Sequence, residues 1–195
     1  MKSASRLLVL ALLPLALLSG CAGTYQLEND VQAFSTLTAL PAPATYRFET
    51  LPLQAGPPQT QLELWAVPAL EKVGMRRDDA NPRFSVQVGA RINAELSPWA
   101  SPWDATWGFG GRWGGFHHGF HGGLMYHYEP PWYHREVSVI LRELPSNRVI
   151  FESHAQSDEP RGDNVVVFPA MFDAALAGFP NPPPGPRRVN VLLGH

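Results

Sequence analysis

The chain has 195 residues, of which 15 are Lys or Arg and 17 are Asp or Glu, giving a formal net charge of −2. This length suffices for one domain with a substantial core, and the charge balance excludes a strongly basic surface for nucleic acid. The single cysteine excludes an internal disulfide and a paired-cysteine metal site.

The first 20 residues have the pattern of an export signal. Lys2 and Arg6 give a positive start, and residues 7–18 form an apolar run interrupted only by Pro14. As a helix this run is roughly 18 Å long, well short of a ~30 Å hydrocarbon core, so it predicts a cleaved signal peptide over residues 1–20. Removing Lys2 and Arg6 from the 15 basic residues leaves 13 against 17 acidic ones in the mature chain.

The tetrapeptide "LSGC" at residues 18–21 resembles the lipobox of bacterial lipoproteins. In that family the cysteine thiol is lipidated, the signal is cleaved before it and the new amino terminus is acylated, often with palmitate. The resemblance implies lipid attachment at Cys21, and two or more acyl chains anchor a protein stably. Ala22 and Gly23 follow where aspartate favours inner-membrane retention in enterobacterial lipoproteins, which implies the outer membrane and a periplasm-facing domain. The alternative is a plain secretory signal followed by a free cysteine.

A polar tether is predicted over residues 21–30, followed by a single domain at residues 31–193. Alternating apolar and polar residues predict strands at 31–35 and 45–49. Within residues 57–74 the apolar side chains recur at helical spacing, which predicts an amphipathic helix. Gly74 fits its carboxyl-terminal cap, whereas Pro68 is discordant because proline removes a backbone hydrogen bond.

The second half of the chain returns to a period of two. Residues 83–93, 135–143 and 148–157 are predicted strands, and the last two form an antiparallel hairpin across a short turn. Pro169 suits the first turn of a second helix that ends near Gly178, and a final strand is expected at 187–193. The order predicts an α+β fold, a mostly antiparallel sheet with two helices on one face.

Several segments together resemble a family of bacterial envelope lipoproteins, domain of unknown function 4136. They are "ATYRFETLP", "LEKVG", "RFSVQVGARI", "SVILRELPSNRVIFES" and "FPAMFDAALAGFP". The resemblance covers roughly residues 31–193 apart from a middle insert, and members typically carry a lipobox. It implies an envelope location and this fold, but it offers no established reaction or ligand to carry over and so leaves the function open.

The insert, at residues 97–133, is rich in Gly, Trp and His and has neither a helical nor a strand period. Four of its histidines are candidate ligands for zinc or copper: His117, His118, His121 and His127. The neighbouring glycines disfavour the helix that would place His117 and His121 on one face. The preferred interpretation is a loop that packs on the sheet or on a partner, and metal binding is the alternative.

Other motifs give weaker indications. The tripeptide "RGD" at 161–163 matches a cell-adhesion motif but also suits a turn before the last helix. His154 follows Ser153, yet adjacent strand residues point to opposite faces, so no nucleophile and base are brought together. No phosphate-binding glycine loop or paired-carboxylate spacing is evident. We therefore expect a non-enzymatic, lipid-anchored outer-membrane protein with a binding or structural role and an envelope protein as partner; an unrecognised hydrolase is the third alternative.

Overall fold

The computed structural model describes residues 25–95, 131–160 and 162–193, which form a mixed α+β fold. A seven-stranded sheet and two helices make up these residues. They are β1 (Tyr25–Ser35), β2 (Thr45–Phe48), α1 (Pro57–Lys72), β3 (Arg76–Arg77), β4 (Phe84–Glu95), β5 (Trp132–Glu143), β6 (Arg148–Glu159), α2 (Asn164–Ala175) and β7 (Arg187–Leu193). No helix of this part of the chain is long and apolar enough to cross a membrane.

The sheet is mixed, with strand order β3-β2-β4-β5-β6-β1-β7. β2 runs parallel to both β3 and β4, whereas the pairs from β4 to β7 are antiparallel. The expectation of a mostly antiparallel sheet was therefore wrong for the edge formed by β3, β2 and β4, where the strands are parallel. The reason is that α1 is a crossover between β2 and β3, and such a connection returns the chain in the same direction. The sequence pattern also did not predict β3.

One face of the sheet and both helices share a single apolar core. Trp65 of α1 stacks on Phe168 of α2 with ring centroids 5.5 Å apart. Ser153 Oγ on β6 donates a hydrogen bond to the carbonyl oxygen of Ala175 on α2, at 2.7 Å. The predicted period of two is confirmed for β5, for β6 and for β4 as far as Val88, whereas residues 90–95 of β4 are exposed on both faces. The alternate side chains that it buries include Phe84, Val86, Val88, Val137, Val139, Leu141, Phe151, Ser153 and Ala155.

Helix α1 agrees with its sequence pattern, and its end has a clear cause. The N–H of Gly74 bonds to the carbonyl oxygen of Glu71 at 2.9 Å, and the N–H of Met75 bonds to that of Leu70 at 3.1 Å. This pair of bonds is a Schellman motif. The motif needs a residue with a left-handed backbone conformation, and Gly74 adopts it with φ at +86°. Pro68 lies inside the helix on its exposed side.

Helix α2 begins at Asn164, earlier than the predicted first turn at Pro169. Asp163 is its N-cap, and its side chain accepts a hydrogen bond from the N–H of Val165 at 3.1 Å. Pro169 therefore lies in the helix interior, and its expected place in the first turn was wrong. Residues 165–167 are three valines, whose low helix propensity concealed the first turn; packing against the sheet overrides that propensity.

The predicted boundaries of the tether and the insert also shift. β1 begins at Tyr25 rather than at residue 31, because Leu27 and Asn29 are already buried in the sheet. The polar Asn29 at a buried position hid the alternation. At the other boundary, Trp132 and Tyr133 belong to β5 and pair with β4. Residue 131 is also described, whereas residues 97–130 of the predicted insert lie outside the described residues.

Candidate interaction site

A groove runs between α1 and the second half of β4. β2 pairs with β4 only as far as Val86, so beyond that residue this side of β4 has no neighbouring strand among the described residues. The apolar wall of the groove consists of Leu62 and Trp65 from α1 and Phe168 from α2, and the cavity measures about 520 Å³. We call these three residues the groove wall, and residues 87–95 of β4 the open edge.

Backbone groups of the open edge point into the groove at every second residue. The Val86 carbonyl accepts a hydrogen bond from the N–H of Glu49 at 2.9 Å, and the Val88 carbonyl accepts one from Gln59 Nε2 at 3.1 Å. Because backbone groups alternate along a strand, those of Ala90, Ile92 and Ala94 point the same way, whereas the residues between them pair with β5. Gln59 thus covers the first carbonyl of the edge, and three residues follow it.

The groove also continues around the open edge onto the outer face of the sheet. Gly89 and Arg91 lie on this face, beside Ser138 and Glu136 of β5. A Cβ atom at Gly89 would come within 2.7 Å of Ser138 Oγ, so glycine leaves room there for the serine hydroxyl. The Arg91 side chain is 75% exposed, and its Nη1 lies 4.0 Å from Glu136 Oε2. Arg91 is therefore a cation close to the open edge.

A buried polar cluster lies at the end of the sheet where β1 and β5 begin. The Arg135 side chain is fully buried; its Nε donates to Asn164 Oδ1 at 3.0 Å, and its Nη1 lies 3.9 Å from Glu159 Oε1. Tyr25 Oη donates to Glu159 Oε2, and the guanidinium carbon is 4.6 Å from the centroid of the Tyr133 ring. Burial lowers the pKa of Arg135, and the charge of Glu159 acts in the opposite direction.

This cluster has a structural role, because it ties β1, β5, β6 and α2 together through one buried cation. The sequence did not reveal it. The sequence pattern places Tyr25 in the tether and Tyr133 in the insert, and Glu159 lies beyond the predicted end of its strand. Only the isolated arginine in the otherwise apolar face of β5 was a signal that a buried partner had to exist.

The outer face carries His154 between two carboxylates. Its Nδ1 lies 3.2 Å from Glu136 Oε1, and its Nε2 lies 3.1 Å from Glu152 Oε1. Ser153 points to the opposite face, into the core, so the predicted separation of histidine and serine is confirmed. His134 pairs with Asp158 on the same outer face. Such exposed pairs stabilise little, and they keep this face polar.

The remaining predicted residues divide into two groups. Asp163 of the "RGD" tripeptide is the N-cap of α2, as a turn before the helix requires, while Arg161 lies outside the described residues. The predicted lipid-attachment and metal-binding residues also lie outside them: Cys21, His117, His118, His121 and His127. Within residues 25–95, 131–160 and 162–193, no group of three or more His, Cys, Asp or Glu side chains is placed to hold a metal ion.

Comparisons with known proteins give distant likenesses of fold only. No family model matches the chain, and no curated protein matches it. A PDZ domain protein from Parabacteroides distasonis aligns with 86% of this chain over 39% of its own length, at 16% identity and a TM-score of 0.48. A PelC dodecamer from Paraburkholderia phytofirmans aligns with 76% of this chain over 95% of its own, at 11% identity and a TM-score of 0.45. A variant of that PelC aligns over the same shares at 10% identity and a TM-score of 0.46. None of these carries an argument about function.

Proposed function

We propose that this chain is an outer-membrane lipoprotein, anchored through lipid on Cys21, whose periplasm-facing domain binds other envelope proteins and catalyses no reaction. The "LSGC" lipobox after an export signal supports the anchor, and the segments that resemble domain of unknown function 4136 support the envelope location. The observation that carries the binding role is the open edge of β4 beside an apolar groove wall. Unpaired strand edges are sites where another chain adds readily.

The residue at which β1 begins supports a position of the folded domain close to the bilayer. Tyr25 is the fourth residue after Cys21, and four residues of fully extended chain span at most ~14 Å. With Cys21 in the membrane, the first strand therefore begins near the headgroups. We further propose that residues 97–130 form an insertion between β4 and β5 that the sheet does not need, since β4 and β5 pair along their whole length without it.

Replacing the lipidated cysteine tests the anchor. Cys21→Ser should lose metabolic palmitate labelling and leave the membrane fraction. Ser19→Ala is the matched control, because it keeps a small residue in the lipobox and should remain labelled and membrane-bound. Continued membrane association of Cys21→Ser, or a wild-type protein without label, would contradict the lipobox interpretation.

A second substitution tests which membrane holds the protein. In an enterobacterial host, Ala22→Asp should move the protein from outer-membrane to inner-membrane fractions on a density gradient while preserving its label. Protease added to intact cells should leave the wild-type domain uncut and should digest it after the outer membrane is permeabilised. Digestion in intact cells would place the domain on the cell surface and refute the periplasmic orientation.

A further inference from the structure

We propose that the open edge of β4 binds an extended segment of a partner protein as an added strand, with apolar and acidic side chains alternating along it. This inference rests on the proposed binding role and adds the chemical class of the partner. The contacts that carry it are the outward backbone groups of Ala90, Ile92 and Ala94, the apolar groove wall and the cation of Arg91.

The backbone of the open edge defines the shape of its partner. Three alternate residues present an N–H and a carbonyl each, and only another extended backbone satisfies such a row with regular spacing. Recognition by strand addition obtains affinity from these main-chain bonds and specificity from pockets for alternate side chains. The open edge offers both, because the groove has one wall on the helix side of β4 and continues onto the outer face.

The side chains around the open edge define the partner's sequence pattern. Side chains of an added strand that lie beside Ala90 and Ile92 face the groove wall, where Leu62 and Trp65 favour apolar groups. The residue between them lies beside Arg91 on the outer face, and a cross-strand cation favours a carboxylate. Apolar, acidic, apolar is therefore the pattern that complements the edge.

The position of α1 favours a single strand over a second folded copy of this chain. Gln59 reaches from α1 to the Val88 carbonyl, so the helix stands directly beside the edge. A folded sheet that approached this edge would bring its own α1 against this one, because β4 and α1 occupy the same relative positions in every copy. A single extended segment brings no helix of its own to this face.

Peptide titration of the full-length protein in detergent micelles tests the proposal. The probe is the heptapeptide acetyl-TTVEVTT-amide, observed through the amide signals of the ¹⁵N-labelled protein. We expect the amides of Ala90, Ile92 and Ala94 to shift and to gain protection from hydrogen exchange. The same peptide N-methylated at its central three residues, and a version with lysine in place of glutamate, should each bind about tenfold more weakly or worse.

Two substitutions of Ile92 distinguish the contribution of its backbone N–H to binding from that of its side chain. Ile92→Pro removes an outward N–H without removing a bond to β5, so binding should fall about tenfold, whereas Ile92→Val should bind as the wild type does. Should Ile92→Pro fail to fold, the N-methylated peptide makes the same comparison on the wild-type protein.

Four outcomes would overturn the proposal. They are no binding of the unmodified peptide, equal binding of the N-methylated peptide, edge amides already protected in the free protein, and a dimer that Ile92→Pro dissociates. The first two exclude strand addition, the third shows that the chain itself covers the edge, and the fourth assigns the edge to a second copy. Each of them leaves the fractionation of Cys21→Ser unchanged, so a failure here is distinct from a failure of the anchor.

Discussion

Tyr46 has a buried hydroxyl whose ionisation reports on the packing of the core. Its side chain is 0% exposed, and its ring meets that of Phe48 edge-on with centroids 5.4 Å apart. Tyr46 Oη has no hydrogen-bond partner among the described residues. Burial raises the pKa of Tyr46 from 10.0 to about 12, while the positive charge of Arg77 acts in the opposite direction.

Because the pKa of Tyr46 is raised in the folded chain, the protein should lose stability as the pH rises above 10. Below pH 10 the phenol is neutral in the folded and the unfolded chain, so its contribution to stability is fully present. Between pH 10 and about 12 the unfolded chain loses the proton while the folded chain retains it, and the free energy of unfolding falls. The loss is about 1.4 kcal/mol at pH 11 and approaches about 2.7 kcal/mol above pH 12.

Tyr46→Phe removes this titration and keeps the ring. At pH 7 we expect the variant to be as stable as the wild type or more stable by about 1 kcal/mol, because an unbonded buried hydroxyl is costly. Between pH 8 and pH 11 the wild type should lose about 1.4 kcal/mol more than the variant, since all other tyrosines are common to both.

Urea denaturation followed by circular dichroism at several pH values measures both differences. A variant less stable than the wild type by more than about 1 kcal/mol at pH 7 would show that the hydroxyl has a bonding partner in the folded protein. Parallel stability curves between pH 8 and pH 11 would show that burial does not perturb this phenol.

Three further changes test the fold and the insert. Gly74→Ala should lower the free energy of unfolding by about 1–2 kcal/mol, because alanine strains the left-handed backbone. Thermal denaturation measures this loss, and an unchanged melting temperature would contradict the Schellman cap. Asp163→Ala should cost about 1 kcal/mol and Asp163→Asn much less; equal losses would show that capping is not the cause. Should the insert bind metal, calorimetric titration with zinc or copper should show heat that disappears when His117, His118 and His121 are changed to alanine; heat that persists in that variant would refute a site at these residues.

The parts of the fold that the sequence predicted are those with one clean periodicity. β5, β6, α1 and the first half of β4 each bury one face, so alternation and helical spacing identify them. The start of β1 was missed because Asn29 is a polar residue in a buried position, and the start of α2 because its valines favour strands. The parallel position of β2 depends on where α1 crosses, which no local pattern encodes.

The candidate site was less predictable than the fold for a similar reason. The open edge exists because β2 is only four residues long while β4 is 12, so part of β4 extends beyond its neighbour. Pattern analysis identified both strands but not how far each would overlap the other. The cluster around Arg135 was equally hidden, since Tyr25, Glu159 and Asn164 come from three other elements that are distant from Arg135 in sequence.

The early start of β1 also has a consequence for the proposed partner. Tyr25 pairs with Leu193, and the same end of the sheet carries Glu95 and Trp132, so the open edge lies toward the end that the lipid would hold. Ile92 is three residues from Glu95, or about 10 Å along the strand, and β4 lies three strand spacings, about 14 Å, across the sheet from β1. Together with the ~14 Å reach of the chain from Cys21 to Tyr25, these offsets would keep the groove within roughly 30 Å of the bilayer for a lipidated Cys21. Two proteins confined to so thin a layer meet at a high effective concentration, so an affinity too weak to hold a freely diffusing partner suffices for one tied to the same membrane.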